Sequence, residues 1–375
     1  MHLHHCSHFT HDTSCGACTR KPWAPGHKTS QAGFGLTEGG LKLATVTDAE
    51  AAAALLDQVS ARTDDRERLK KEATLGVKLR RALQIRNHNI RILFAEFLGT
   101  FILVALGDGI VAQHVLSEHE SFKRGNINTI HIGWGWAVSM GIFAAGGVSG
   151  GHINPAFSLV CAIIGKISWI KLPFYLIGQY CGAFIASACI FTVYYDRLVS
   201  FEKAYCNETR EFYYAKEHHC LTAGIFATYP QEHVTNLQGF ADQVFGTFLL
   251  VLLALAVTDE ENWHMPKWLH PMSVGLIVSA IVAGYEYNCG AALNPARDLS
   301  PRIFTAIAGW GSGVFTYRNS TWFLIPIFGP HTGAIIGALT YLLLINLHWP
   351  QPEDESFRAK KKFSHDEKLT AKTTA

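Results

Sequence analysis

Charge is scarce in this sequence. Of its 375 residues, 17% are Asp, Glu, Lys or Arg, well below the quarter that is usual in soluble domains. The two signs nearly cancel, with 32 Lys or Arg against 30 Asp or Glu. No basic field draws nucleic acid, and no nucleic-acid partner is expected. The 9 cysteines are scattered, too few and too far apart for a disulfide scaffold. The N-terminus lacks an apolar h-region, so no signal peptide is expected and the first span would direct insertion itself. No Ser/His/Asp set, paired carboxylates or metal-spaced cluster falls in the apolar runs, so neither an enzyme nor a bound cofactor is expected. What is abundant is apolar: 49% of residues are hydrophobic and 33 are glycine, with 1–90 polar and 92–348 dominated by apolar runs.

Residues 1–88 therefore read as a polar, disordered cytoplasmic extension. Cys15 and Cys18 stand two residues apart among five nearby histidines, a zinc-like spacing, but a single such pair without an apolar core reads as disorder rather than a metal site. Residues 49–56 are alanine-rich and read as helix. From Arg62 to Arg91 there are ten Lys or Arg against four Asp or Glu, the pattern of a cytoplasmic flank to a first span.

Six apolar runs follow: Ile92 to Val115, Ile130 to Gly147, Ile170 to Tyr194, Phe240 to Val257, Pro271 to Tyr287 and Trp322 to Leu347. Each is long enough to cross a bilayer core of about 30 Å. An even number of spans puts both termini on one side. The bases of 62–91, Lys166, Lys171 and Lys360 to Lys362 fall there too, which makes that side cytoplasmic. The tail 349–375 joins it. The long loop 196–238 then lies outside, with a glycosylation sequon at Asn207 and another at Asn319 on the same face. Cys206 and Cys220 share that loop; a disulfide and two free thiols both remain open.

Two stretches organise the apolar part. Gly150-Gly151-His152-Ile153-Asn154-Pro155-Ala156 and Gly290-Ala291-Ala292-Leu293-Asn294-Pro295-Ala296 have the same construction. Proline suits a first helical position and asparagine an N-cap. Each run reads as extended backbone feeding a half-helix, 157–164 or 299–307, of about ten residues or roughly 15 Å. Glu96-Phe97-Leu98-Gly99-Thr100-Phe101 and Gln243-Val244-Phe245-Gly246-Thr247-Phe248 repeat in the first and fourth spans. Three spans per half make the repeat inverted, an architecture of membrane transport with its site at the midplane. The loop carbonyls of Gly150, Gly151, His152, Ile153, Ala292 and Leu293 would face a permeant, and the Asn154 and Asn294 amides would donate to it. Arg297 would project from the second half-helix into the passage, with Asp298 as its neighbouring anion.

These residues resemble the aquaporin, or major intrinsic protein, family over about residues 88–348, and Arg297-Asp298 with Asp242-Gln243 resembles its glycerol-conducting branch, the aquaglyceroporins. The resemblance implies an all-α membrane fold of six spans and two re-entrant half-helices in residues 89–348. It also implies a right-handed bundle, a homotetramer in the plasma membrane, and passive conduction of glycerol, water and urea. It carries an aromatic/arginine filter onto Trp134, Val282, Ala291 and Arg297, and marks Asp298 as a glycerol-branch residue. Val282 departs from the glycine common in glycerol channels, and Ala291 is smaller than the usual residue. A water channel with little glycerol conductance is the alternative within the family. An alternating-access carrier would need a coupling-ion site, for which Glu96 and Asp108 are the candidates.

Overall fold

The computed structural model describes residues 46–206 and 222–350, and the chain divides into two units, residues 1–82 and 83–375. The described part of the first unit belongs to one helix, α1 (Val46–Leu83). The helix expected over 49–56 is present and extends from Val46 to Leu83, through residues expected from sequence to lie in a disordered extension. Its run of Ala, Leu, Glu, Lys and Arg consists of strong helix formers, and Arg68 pairs with Glu72 one turn on at 3.1 Å. Its described side chains are exposed.

The second unit holds α2 (His88–Leu116), α3 (Ile127–Ser149), α4 (Pro155–Ile163), α5 (Leu172–Tyr205), α6 (Asn236–Thr258), α7 (Glu260–Trp263), α8 (His270–Tyr285), α9 (Pro295–Thr305), α10 (Gly313–Ser320) and α11 (Ile325–Leu344). No strand occurs among the described residues. Among the described residues six helical stretches are long and apolar enough to span a membrane: α2, α3, α5, α6, α8 with the turn before it, and α11 with its flanking turns. The expected starts at Ile92, Ile130 and Phe240 fall three to four residues inside the helices. Polar caps explain the offset: Asn87 accepts from the amides of Asn89 and Ile90, Asn126 and Thr129 form a capping box, and Thr235 accepts from Gln238. Such caps satisfy amides that a helix start leaves free. The third span overshoots its expected end at Tyr194 and runs to Tyr205. There Leu198 and Phe201 bury against Ile225 and Phe226, so packing carries the helix past the apolar run. Cys206, just beyond α5, is disulfide-bonded, whereas Asn207 and Cys220 lie outside the described residues.

The repeat is visible in the packing. Helix α2 packs on α3 and α5, α6 packs on α8 and α11, and the halves meet along α3 and α8. Glycines set each contact. A Cβ on Gly178 or Gly182 of α5 would run into backbone carbonyls of α2 at Leu93 and Phe97. One on Gly333 or Gly337 of α11 would meet those of Val244 and Phe248 in α6. Gly135 and Gly275 each face the other's carbonyl across the α3–α8 seam. Small residues at one-turn spacing let helix backbones approach, which is how helices gain packing energy in lipid. Large apolar side chains such as Phe94, Leu98, Trp136, Phe245 and Leu339 stay exposed, as lipid-facing residues do. Helices α4 and α9 each pack against both α5 and α11, and they meet each other.

Candidate functional site

Two loops arrive at the same point from opposite halves. In each, the residue before asparagine has a left-handed backbone: Ile153 with φ 45° and Leu293 with φ 54°. That conformation costs on the order of 1–3 kcal/mol for a non-glycine residue and persists only when neighbours over-determine it. Here they do. The Ile153 amide donates to Glu96 Oε2 at 2.7 Å and the His152 amide to Glu96 Oε1 at 3.0 Å. In the second half, the Leu293 amide donates to Gln243 Oε1 at 3.0 Å. Glu96 also accepts from Ser149 Oγ and Gln179 Nε2. A fully buried carboxylate with four donors is committed to holding a loop, which removes Glu96 as a coupling-ion ligand.

The asparagines face both ways. Asn154 Oδ1 accepts from the Ala156 amide, and Asn294 Oδ1 from the amides of Ala296 and Arg297, capping α4 and α9. Their amide nitrogens cross over: Asn154 Nδ2 donates to the Leu293 carbonyl at 2.9 Å and Asn294 Nδ2 to the Ile153 carbonyl at 2.7 Å. The amides therefore brace the opposite loop, a role beyond the donation to a permeant expected from sequence. An amide nitrogen carries two hydrogens, so one on each remains for another acceptor.

A cavity of about 140 Å³ runs past these loops. It gathers Gly150, Gly151, His152, Ile153, Asn154, Ala291, Ala292, Leu293, Asn294, Trp134, Val282 and Arg297. Pro155, Ala156, Pro295, Ala296 and Asp298 are buried behind it, opening the half-helices rather than lining the passage. Sequence reasoning missed the opposite wall. Val138 and Ile142 stand one and two turns after Trp134 on α3, and Val278 and Val274 one and two turns before Val282 on α8. Leu103, Leu250, Ala254 and Phe157 complete it, with Thr258 and His270 at the end near the α6–α8 loop. The signal was present: the shift of 140 residues from Asn154 to Asn294 also carries Val138 to Val278 and Ile142 to Val282. One wall is apolar and the other is a line of polar backbone.

Arg297 is 5% exposed. Its Nη1 donates to the Phe226 carbonyl at 2.9 Å, and its guanidinium carbon lies 4.4 Å over the Trp134 ring. Asp298 is not its partner. That carboxylate accepts from the Thr228 amide and from Arg302 Nε and Nη2, so it ties α9 to the loop around Thr228. The i,i+4 spacing places Arg302 on the same face as Asp298. The anion near Arg297 is Asp108, with Oδ1 3.5 Å from Nη2.

Two carboxylates just past the ends of spans, Glu286 after α8 and Asp259 after α6, gather polar partners. Glu286, one turn past Val282, pairs with His131 Nε2 at 2.7 Å. Burial raises the Glu286 carboxyl above its ordinary range, and His131, Arg297 and His114 oppose that rise. At the other end of the bundle, partial burial works to raise the Asp259 carboxyl. Donors from Tyr341, Asn346, the Glu261 amide and Trp349 outweigh it and hold the group below the usual carboxylate range. No group of three or more metal-ligating side chains occurs among the described residues.

Six spans around a narrow cavity, with half-helices meeting tip to tip from inverted repeats, define a multi-pass membrane protein of the channel class. The chain belongs to the major intrinsic protein family, whose model matches residues 84–341. It is 43% identical over 296 residues to aquaporin-9 of Homo sapiens, covering 79% of this chain and 96% of that one. It is 45% identical over 288 residues to aquaporin-10 of Milnesium tardigradum, covering 74% of this chain and 68% of the relative. Among solved structures it is similar to the aquaglyceroporin from Plasmodium falciparum, with a TM-score of 0.60 and 29% identity over 68% of this chain and 97% of that one.

Proposed function

We propose that the protein is a passive channel for glycerol and water, with urea as a further small neutral solute. The two-faced lining of the cavity carries this reading: Val138, Ile142, Val274 and Val278 on one side, loop backbone and asparagine amides on the other. A polyol has the same division. Its carbon edge lies along the valines while its hydroxyls donate to carbonyls and accept from Asn154, Asn294 and Arg297. An ion gains no such match, because stripping its water costs several kcal/mol that a mostly apolar lining does not return. The N-terminal ends of α4 and α9 and the Arg297 charge add a positive field that repels cations and protons. Trp134, Val282, Ala291 and Arg297 form the filter, with Asp298 holding its second half-helix in place.

Residues 89–348 form the channel, between a cytoplasmic extension at 1–88 and a cytoplasmic tail at 349–375. The assembly is a homotetramer in the plasma membrane, glycosylated at Asn207 on the outer side. The test is osmotic. In liposomes holding the purified protein, sucrose shock gives fast water efflux, and glycerol shock gives efflux followed by rapid re-swelling. Replacing Arg297 with Trp abolishes both. Efflux without re-swelling would replace this reading with a water channel narrowed at Val282, and flux that followed an ion gradient would replace it with a carrier.

A further inference from the structure

The dipeptide Gly107-Asp108 of α2 belongs to neither of the paired motifs, yet it lies directly behind the filter. We propose that Asp108 is a positioning residue of the filter: its carboxylate holds the Arg297 guanidinium against the wall, and Gly107 beside it seats the Trp134 ring. The inference rests on the filter reading given above.

Among the described residues three carboxylates are wholly buried: Glu96, Asp108 and Asp298. Glu96 has four donors, and Asp298 is met by Thr228 and Arg302. Asp108 differs. Neither of its oxygens has a hydrogen-bond donor among the described residues, and its ion-pair contact is Arg297 Nη2 at 3.5 Å. A buried acid so poorly served destabilises a fold unless something offsets it, and the one arginine of the cavity is what it reaches. Seen from Arg297, the arrangement closes. The Phe226 carbonyl takes Nη1, the Trp134 ring lies 4.4 Å under the guanidinium carbon, and Asp108 stands at Nη2. Arginine has five N–H donors in a rigid fork, so those not taken by the wall remain for solute. Gly107 is needed for the same geometry, since a Cβ there would clash with the Trp134 ring at its Cζ3. Two consecutive residues of α2 thus set both the aromatic and the cationic members of the filter.

Without the carboxylate, Nη2 is free to swing into the passage, and a narrower aperture obstructs glycerol more than water. The test is a double-mutant cycle in liposomes with wild type, Asp108→Asn, Arg297→Ala and the double variant. Asp108→Asn lowers the ratio of glycerol to water permeability by about tenfold, the change for 1.4 kcal/mol in a barrier. In the Arg297→Ala background the same substitution has no further effect, because Asp108 acts through Arg297. Equal losses in the two backgrounds, or an unchanged ratio in Asp108→Asn, would overturn the proposal. If Asp108→Asn does not fold, the distance between labelled Asp108 Cγ and Arg297 Nη in the wild-type protein decides by solid-state NMR. A value within ion-pair range, about 4 Å, supports the contact and a longer one refutes it. Absence of glycerol re-swelling in wild type would sink the glycerol reading alone, since the cycle and the distance can then be read on water flux and the intact protein.

Discussion

Glu96 and Gln243 occupy equivalent places in the two halves and do the same work with different charge. Each satisfies the amide of a left-handed residue just before an asparagine. Replacing Glu96 with Ala leaves the His152 and Ile153 amides without their acceptor. Each unsatisfied buried donor costs about 1–3 kcal/mol, so the thermal transition in detergent should fall by several degrees, whereas Glu96→Gln should lose less. Glu286 makes a prediction of opposite character. Its carboxyl is raised by burial, so the folded protein holds that proton above the unfolded value of about 4.3. Its contribution to stability is therefore full at low pH and falls as pH rises through the folded value. Melting of wild type against Glu286→Gln from about pH 4 to about pH 7 should show wild type losing ground as pH rises; parallel curves would refute this. The repeat aligned Glu96 with Gln243, yet Glu96 stood in the sequence as a candidate coupling-ion ligand, and its hold on the His152 and Ile153 amides emerged only from the fold. The partner of Arg297 was not legible either. Asp298 is adjacent in sequence, but α9 turns its carboxylate toward Arg302, and the anion that does approach comes from α2, 189 residues away by number.

Between elements, the helix seams depend on hydrogen where other residues carry carbon. Gly135 and Gly275 face each other across the contact of α3 with α8, and Gly333 lies on the carbonyl of Val244. Gly333→Ala should cost about 1–3 kcal/mol through overpacking, seen as a smaller monodisperse fraction after heating. Gly109, with nothing within 4 Å of its Cβ position, should tolerate alanine in the same assay. The six spans and both half-helices were legible because length, apolarity and Asn-Pro spacing are local signals. Their ends were less so. Hydropathy sees where apolar residues stop, whereas Asn87, Asn126 and Thr235 start helices earlier by capping, and α5 runs on because Leu198 and Phe201 find a second core outside the bilayer run. The apolar stripe of Val138, Ile142, Val274 and Val278 was encoded at one-turn spacing from Trp134 and Val282. Such spacing also serves ordinary helix packing, and only the loops opposite it make it the wall of a passage.

At the scale of the whole bundle, Asp259 ties the end of α6 to α11 through Tyr341 and to the chain just beyond it through Asn346 and Trp349. Its carboxyl is held below the usual range. The stability it contributes is present above the unfolded value of about 3.9 and is lost as pH falls through the folded one. Amide protection at residues 345–349, taken relative to the intrinsic exchange rate at each pH, should therefore fall on strong acidification, and an Asp259→Asn variant should be less protected at neutral pH. The crossed amides have a consequence in time. Asn154 donates to Leu293 and Asn294 to Ile153, contacts spanning 139 and 141 positions. A ribosome adds about 5–20 residues per second, so the first loop waits roughly 7–28 s for its counterpart to be made. During that interval the Ile153 carbonyl lacks the Asn294 amide that later satisfies it. The nascent first half must be sheltered from lipid by water or by the insertion machinery, and release into the bilayer is complete only when the second half closes over it.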